Sequence, residues 1–283
     1  MSEKKVWFIT GASSGFGRIF AEEVLAKGER VVATARKPEV LRDLIEKYPE
    51  TARVVKLDVT NEREVKNAVS ETVKEFGRID VVVNNAGYAV VGAIEEVTNE
   101  QAKQQFDTNV FGVLNVTREV LPILRAQKSG HIVNIGSLVG ISAFPSFGLY
   151  SASKFALEGI SESLAAEVAP HGIKTTIVEP GPFHTGFSGK GVFFGENSLP
   201  EFYASTKELA DQFSEFDGPN SGDPRKGVKV IIEAVESENP PFRLPLGLFA
   251  YEAIEAKLEQ VKEEIATWRE RAIETNFDAA ATA

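Results

Sequence analysis

The chain has 283 residues, 43% hydrophobic and 25% charged, with a formal net charge of -10 at pH 7. That length suits one large α/β domain with a sizeable core, and the acidic balance argues against nucleic acid or an anionic membrane as a partner. Cysteine is absent, which excludes disulfides, thiol nucleophiles and Cys-based metal sites, and three scattered histidines (His131, His171, His184) do not make a metal centre. The N-terminal MSEKKVWFIT passes from charged residues straight into a strand-like run. No later run approaches the ~20 apolar residues of a membrane span, so a cytoplasmic protein is expected.

Strand-like and helix-like segments then alternate. KVWFIT at 5–10 is a short apolar run ending at a glycine, and GRIFAEEVLAKG at 17–28 carries helical spacing at Ile19, Phe20, Val24 and Leu25. RVVATAR at 30–36 and ARVVKLDV at 52–59 are the second and third strands. An amphipathic helix at 61–77 leads to a fourth strand, IDVVVNNAG at 79–87. Thr98 to Gln101, TNEQ, fits a capping box and starts one long helix reaching about Gln127. HIVNIGS at 131–137 is the fifth strand, a helix runs over 149–168, and KTTIVEPG at 174–181 is the sixth strand. Near-continuous apolar strands joined by helices imply a parallel sheet covered on both faces. The expected fold is a Rossmann-like, doubly wound α/β sheet forming a single domain over 1–283.

Between the first strand and the first helix lies TGASSGFG, 10–17. Its glycines (Gly11, Gly15, Gly17) allow a tight turn and close backbone approach to a pyrophosphate, and the helix N-terminus supplies unpaired N–H groups. The spacing is G-x3-G-x-G, and by itself such a loop also serves as an ordinary capped turn. Arg36 ends the second strand where dinucleotide folds that take NAD place an acid against the ribose 2′-hydroxyl. An arginine fork there suits a 2′-phosphate, with Ser13 adding a hydroxyl, so NADP(H) is expected over NAD(H). Arg36 as a plain solvated strand-end charge is the competing reading.

YSASK, 150–154, sets Tyr150 and Lys154 one helical turn apart on one face. A free Tyr has a pKa of about 10 and is a poor proton donor at neutral pH. An ammonium at ~4 Å in an effective dielectric of ~20 favours the phenolate by about 4 kcal/mol. That brings the phenol towards neutrality, where a general acid/base works best. A packed tyrosine beside a solvated lysine is the plainer alternative.

TGASSGFG, NNAG at 84–87, Ser137 and YSASK stand in order, each at a strand end or helix. Together they resemble the short-chain dehydrogenase/reductase family, in its shorter soluble branch, over roughly residues 5–185. The resemblance implies Tyr150 as general acid/base, and Lys154 as the group that lowers its pKa and binds the nicotinamide ribose. It implies Ser137 as the hydroxyl orienting the substrate oxygen, and Asn109 as the residue holding a water in a proton relay. For the cofactor it implies the loop of Gly11, Ser13, Ser14, Gly15, Phe16 and Gly17, and adenine contacts from Asp58 and Val59. It further implies a ribose wall of Asn85, Ala86 and Gly87, and a nicotinamide clasp of Pro180, Gly181, Phe183 and Thr185. Three residues depart from the family pattern: Ser14 where NADP-preferring members often carry a base, Phe16 for an aliphatic residue, and Gly136 before Ser137. The activity implied is hydride transfer between NADP(H) and a carbonyl or secondary alcohol, a small-molecule substrate, in a homo-oligomer (dimer or tetramer). A non-catalytic NADP-binding sensor or scaffold, and a nucleotide-sugar epimerase, are the other readings.

Residues 186–227 form an insert expected to cover the substrate. It is rich in aromatics (Phe187, Phe193, Phe194, Phe202, Tyr203, Phe213, Phe216), with a helix expected at about 200–213. Phe144 and Phe147, in SAFPSFG, flank the same site. Phe144 and Phe187, with Ser137 and Tyr150, are the expected substrate contacts, and a hydrophobic ketone or aldehyde is the expected substrate. A C-terminal helix is expected at 249–276, its stripe of Ile254, Leu258, Val261, Ile265 and Trp268 packing on the body.

Overall fold

The computed structural model describes residues 4–204, 206, 208, 209 and 221–275. Seven strands form one parallel sheet: β1 (Val6–Ile9), β2 (Arg30–Ala35), β3 (Ala52–Lys56), β4 (Val81–Asn84), β6 (Gly130–Ile135), β7 (Ile173–Pro180) and β9 (Arg243–Leu246), in the order β3-β2-β1-β4-β6-β7-β9. β5 (Ala89–Val91) and β8 (Val192–Phe194) form a separate parallel pair. The apolar runs of β1 and β4 are buried throughout, as strands covered on both faces must be.

The helices divide between the two faces. α1 (Gly15–Ala26), α2 (Arg42–Lys47) and α8 (Pro224–Glu236) cover one, where Phe20, Val24, Leu44, Val228 and Ile231 meet Trp7, Ile9, Val31 and Val83. α3 (Glu62–Phe76), α5 (Gly112–Gln127) and α6 (Gly148–Val168) cover the other, where Val65, Val69, Val116, Val120 and Leu164 meet Phe8, Val32, Val82 and Ile132. Local chemistry sets the helix ends. Asn61 accepts from Arg63 N and Glu64 N at the start of α3, and left-handed Gly77 closes it. Thr98 and Gln101 form the expected capping box of α4 (Asn99–Phe106). The doubly wound architecture expected from the alternating segments is the one observed.

Three features differ from that expectation. A seventh strand, β9, joins the sheet; its RLPL carries a proline and too few apolar residues to read as a strand in isolation, and it survives because it lies on the edge. The long helix after Thr98 is interrupted by a π turn, Asp107–Phe111, in which Gly112 N donates to Asp107 O. The C-terminal helix breaks at Trp268 into α9 (Leu248–Thr267) and α10 (Arg269–Ile273). Of its apolar stripe only Ile254 is buried; Leu258, Ile265 and Trp268 are exposed, so packing on the body holds for the first turns alone. α7 (Phe187–Lys190) begins the insert. The helix expected at 200–213 falls largely outside the described residues, as do Phe213 and Phe216.

Candidate active site

The glycine loop is locked to the end of β4. Gly11 has φ +65°, and a Cβ there would lie 2.9 Å from Ala86 Cα. A Cβ on Gly17 would lie 2.5 Å from both Asn85 Nδ2 and Gly11 O. Asn85 Nδ2 donates to the carbonyls of Thr10 and Gly11, and Thr10 Oγ1 accepts from the backbone N–H of Asn85 and Ala86. Thr10, part of the quoted motif but not singled out from sequence, is therefore the post tying the loop to NNAG. Ser14 occupies the N-cap of α1 with extended backbone and makes no side-chain cap bond, so the helix N-terminus is not closed by its own cap. Ser13 and Ser14 are exposed.

Other expected cofactor residues border the same loop. Gly15 stands against Thr185: a Cβ on it would be 3.5 Å from Thr185 Cβ. Phe16, the unusual aromatic, packs on Phe183 with ring centroids 5.2 Å apart, joining α1 to the segment after β7. Pro180 ends β7, and Gly181 N donates to Leu246 O of β9. Arg36 is exposed just past β2 and, among the described residues, has no hydrogen-bonding or ionic partner. Asp58 Oδ1 accepts from Thr60 N and Oγ1, and Val59 O accepts from Asn115 Nδ2. A cradle that a Cβ would fill and an uncapped helix start fit the pyrophosphate of a dinucleotide.

Ser137, Tyr150, Lys154 and Asn109 come together beside this cradle. Ser137 follows β6 and accepts from Val139 N at 3.3 Å. Tyr150 and Lys154 lie on the first turns of α6, both buried. The Ser137 hydroxyl is near enough to the Tyr150 phenol to draw its pKa down. Lys154 Nζ sits 5.7 Å from the centre of the Tyr150 ring and donates to Ile135 O at 2.7 Å. Among the described residues its other two N–H groups have no acceptor. Asn109 lies in the π turn. Its Oδ1 accepts from Tyr88 N at 3.1 Å, and its Nδ2 donates to Tyr88 O at 2.8 Å and Ser153 Oγ at 3.1 Å. Gly87 lies between: a Cβ on it would be 3.1 Å from Asn109 Oδ1 and 3.9 Å from Lys154 Nζ. Tyr88, Ser153 and the Ile135 carbonyl had no signal in the sequence.

The electrostatics differ from the sequence argument. Burial pushes the Tyr150 phenol up to about 12, with the nearby Ser137 hydroxyl pulling the other way. Burial pushes Lys154 down to about 8, with the charge of Glu158 opposing it. Desolvation of the pair, and not the ammonium, is the larger influence on the phenol. The expectation of a phenol brought near neutrality by the lysine left out burial, which acts in the opposite direction.

Aromatic side chains close over the phenol. Phe147 and Phe187 each have ring centroids 6.4 Å from that of Tyr150. Phe144 packs against the same cluster and is stacked on Phe249 of α9 at 6.2 Å. The insert thus reaches the site through Phe187, the first residue of α7. His184, in the clasp, is exposed, and no cluster of metal-ligating side chains occurs among the described residues.

A family model described as short chain dehydrogenase matches residues 5–191. The chain belongs to this family. Within it, an oxidoreductase of Botryotinia fuckeliana is 40% identical over 267 residues, 94% of this chain and 97% of its own. A 3-ketodihydrosphingosine reductase of Bacteroides thetaiotaomicron is 41% identical over 251 residues, 87% and 88% of the two chains. The crystal structure of a short-chain dehydrogenase from Streptomyces avermitilis has a TM-score of 0.89 at 42% identity, covering 97% of this chain and 100% of that one. A family structure from Burkholderia phymatum in complex with NAD has a TM-score of 0.81 at 25% identity, covering 93% and 95%. One from Burkholderia cenocepacia in complex with NADP has a TM-score of 0.71 at 28% identity, covering 95% and 96%. Among the described residues no helix is long and apolar enough to cross a membrane.

Proposed function

We propose that the protein is an NADP(H)-dependent oxidoreductase of the short chain dehydrogenase family that interconverts a hydrophobic ketone and its secondary alcohol. The observation carrying this reading is the convergence of Ser137, Tyr150 and Lys154 beneath Phe147 and Phe187, beside the glycine cradle. When bound, the nicotinamide supplies or accepts the hydride. Tyr150 gives its proton to the substrate oxygen as negative charge builds there, and Ser137 hydrogen-bonds the same oxygen. Lys154 carries a positive charge beside the phenol and offers its two remaining N–H groups to the ribose. Asn109 fixes the Gly87–Tyr88 wall next to Lys154, where re-protonation of the phenol starts. In the oxidative direction the same groups take the proton from the alcohol.

The preference for NADP(H) is supported by Arg36, exposed beyond β2 with no acid beside it in Thr34-Ala35-Arg36. The apolar substrate is supported by the phenylalanines around the phenol and by a relative that acts on 3-ketodihydrosphingosine. A cytoplasmic homo-oligomer completes the proposal, with the exposed Leu258, Ile265 and Trp268 available for a subunit contact; light scattering after gel filtration tests it. The deciding experiment is cofactor consumption, NADPH against NADH, over a panel of aldehydes, small ketones and bulky ketones. Turnover with NADPH supports the reading. Tight cofactor binding with no turnover on any carbonyl favours a sensing role for the same fold.

A further inference from the structure

Behind Lys154, ionisable side chains from three elements meet where α6 crosses the sheet. Glu158 lies one helical turn beyond Lys154, on the same face of α6. Glu179, near the end of β7, is fully buried. Arg243 opens β9, which pairs in parallel with β7, Ile177 opposite Arg243 and Glu179 opposite Pro245. Strand alternation places Ile177, Glu179 and Arg243 on one face, the face on which Leu157 of α6 packs. Arg243 Nη1 donates to Glu158 Oε2 at 2.6 Å and stands 3.8 Å from Glu179 Oε1, while Nη2 donates to exposed Glu162 at 2.6 Å. One guanidinium therefore serves three carboxyl groups.

The hydrogen bonds do not balance if all three are ionised. Glu158 Oε1 and both carboxyl oxygens of Glu179 are buried without a hydrogen-bond partner among the described residues. A buried carboxylate without hydrogen bonds is costly, and two in one site cannot both ionise cheaply. Burial, above all, pushes Glu158 up to about 7, against the pull of Arg243. Burial, with the charge of Glu158 added, pushes Glu179 up to about 8. Glu158 has the hydrogen bond from Arg243; Glu179 has none.

We propose that Glu179 is the protonated member of this buried pair at neutral pH, and that Glu158, kept charged by Arg243, is a positioning residue that holds Lys154 as an ammonium. Lys154, Glu158 and Glu162 from α6, Glu179 from β7 and Arg243 from β9 are the charged or titratable groups of the cluster among the described residues. The second half of the proposal rests on the reading of Lys154 as part of the catalytic group. The first half does not.

Infrared spectroscopy at pH 7 tests the proton directly. The spectrum is expected to contain the carbonyl band of a protonated carboxyl group, and Glu179→Gln is expected to remove it. A spectrum without the band, or a band that Glu179→Gln leaves in place, overturns the assignment. This readout needs no substrate, so its failure is distinct from failure of the oxidoreductase reading. The pH profile of kcat/KM for ketone reduction tests the link to Lys154. Removing the charge of Glu158 lowers the proton affinity of the coupled Tyr150–Lys154 pair. Glu158→Gln is expected to move the alkaline limb to lower pH by on the order of one unit, a tenfold change. Glu158→Asp, which keeps the charge, and Glu179→Gln, which mimics a neutral acid, are expected to leave the limb in place. A limb unmoved in Glu158→Gln overturns the positioning role. Should Glu158→Gln fail to fold, a limb that Glu179→Gln shifts to lower pH overturns it as well, since Glu179 is then the charged member.

Discussion

Lys154 Nζ lies 5.7 Å from the centre of the Tyr150 ring and is tied to the carbonyl of Ile135 at 2.7 Å. The lysine is thus held by the end of β6, the strand that also leads into Ser137, and Tyr150, Lys154 and Ser137 are set by one strand end and one helix face. Tyr150→Phe removes only the hydroxyl from a buried ring. Turnover is expected to fall by about 10²–10⁴-fold, the usual worth of a general acid. Binding of NADPH, followed by its fluorescence, is expected to stay within about twofold, since the ring and Lys154 remain. Full activity in Tyr150→Phe removes the mechanism.

Arg36 decides the cofactor if its guanidinium takes a 2′-phosphate. A hydrogen bond to a charged group contributes about 1.5–3 kcal/mol. Arg36→Asp is therefore expected to lower kcat/KM for NADPH by roughly 10–100-fold while NADH gains, measured as the ratio of the two. An unchanged ratio means that Arg36 is a solvated strand-end charge.

Gly17 has no room for a methyl group, because Asn85 Nδ2 and the Gly11 carbonyl occupy its Cβ position. Gly17→Ala is expected to destabilise the fold by about 1–3 kcal/mol through overpacking. It also displaces Asn85 from the loop carbonyls, so cofactor affinity falls with stability. Urea unfolding and fluorescence titration measure the two effects on one sample.

Phe187 is the point at which the insert meets the Tyr150 phenol. In a hydrophobic pocket a single methylene is worth about 1–3 kcal/mol of discrimination, and a phenyl ring at least as much. Phe187→Ala is expected to raise KM for bulky ketones about tenfold or more and to leave small ketones nearly unaffected. A uniform loss across the series points to displacement of Tyr150 instead.

His131 is buried in β6, with Nε2 2.9 Å from Thr176 Oγ1. Burial, with Lys174 nearby, pushes it down to about 4 from an ordinary 6.5. The folded protein therefore keeps His131 neutral where the unfolded chain protonates it. Between about pH 6.5 and 4 the unfolded state binds the extra proton, so stability falls as pH is lowered through that window and this contribution levels off below it. The loss is on the order of 3 kcal/mol. Urea unfolding at pH 7 and 4.5, compared with His131→Gln, is expected to show a pH-dependent difference of that order.

Much of the fold was legible in the chain, because its signals are local. Buried parallel strands read as apolar runs, the capping box at Thr98 and Gln101 lies within four residues, and the glycine loop is defined by three glycines around one turn. Ser137, Tyr150 and Lys154 were singled out through the resemblance to a family, since locally each is only a residue at the end of a strand or the start of a helix. Tertiary structure alone decided the rest. β9, with Pro245 inside it, is a strand because β7 offers it an edge. The π turn that seats Asn109 depends on bonds to Tyr88 and Ser153, more than twenty residues away in either direction. The burial that raises Tyr150 and lowers Lys154 was invisible in the sequence, because spacing reports which charges are near, whereas the cost of losing water depends on everything that covers them. Glu158, Glu179 and Arg243 are three unremarkable residues in the sequence, and only the packing of α6 across β7 and β9 makes their charges one problem.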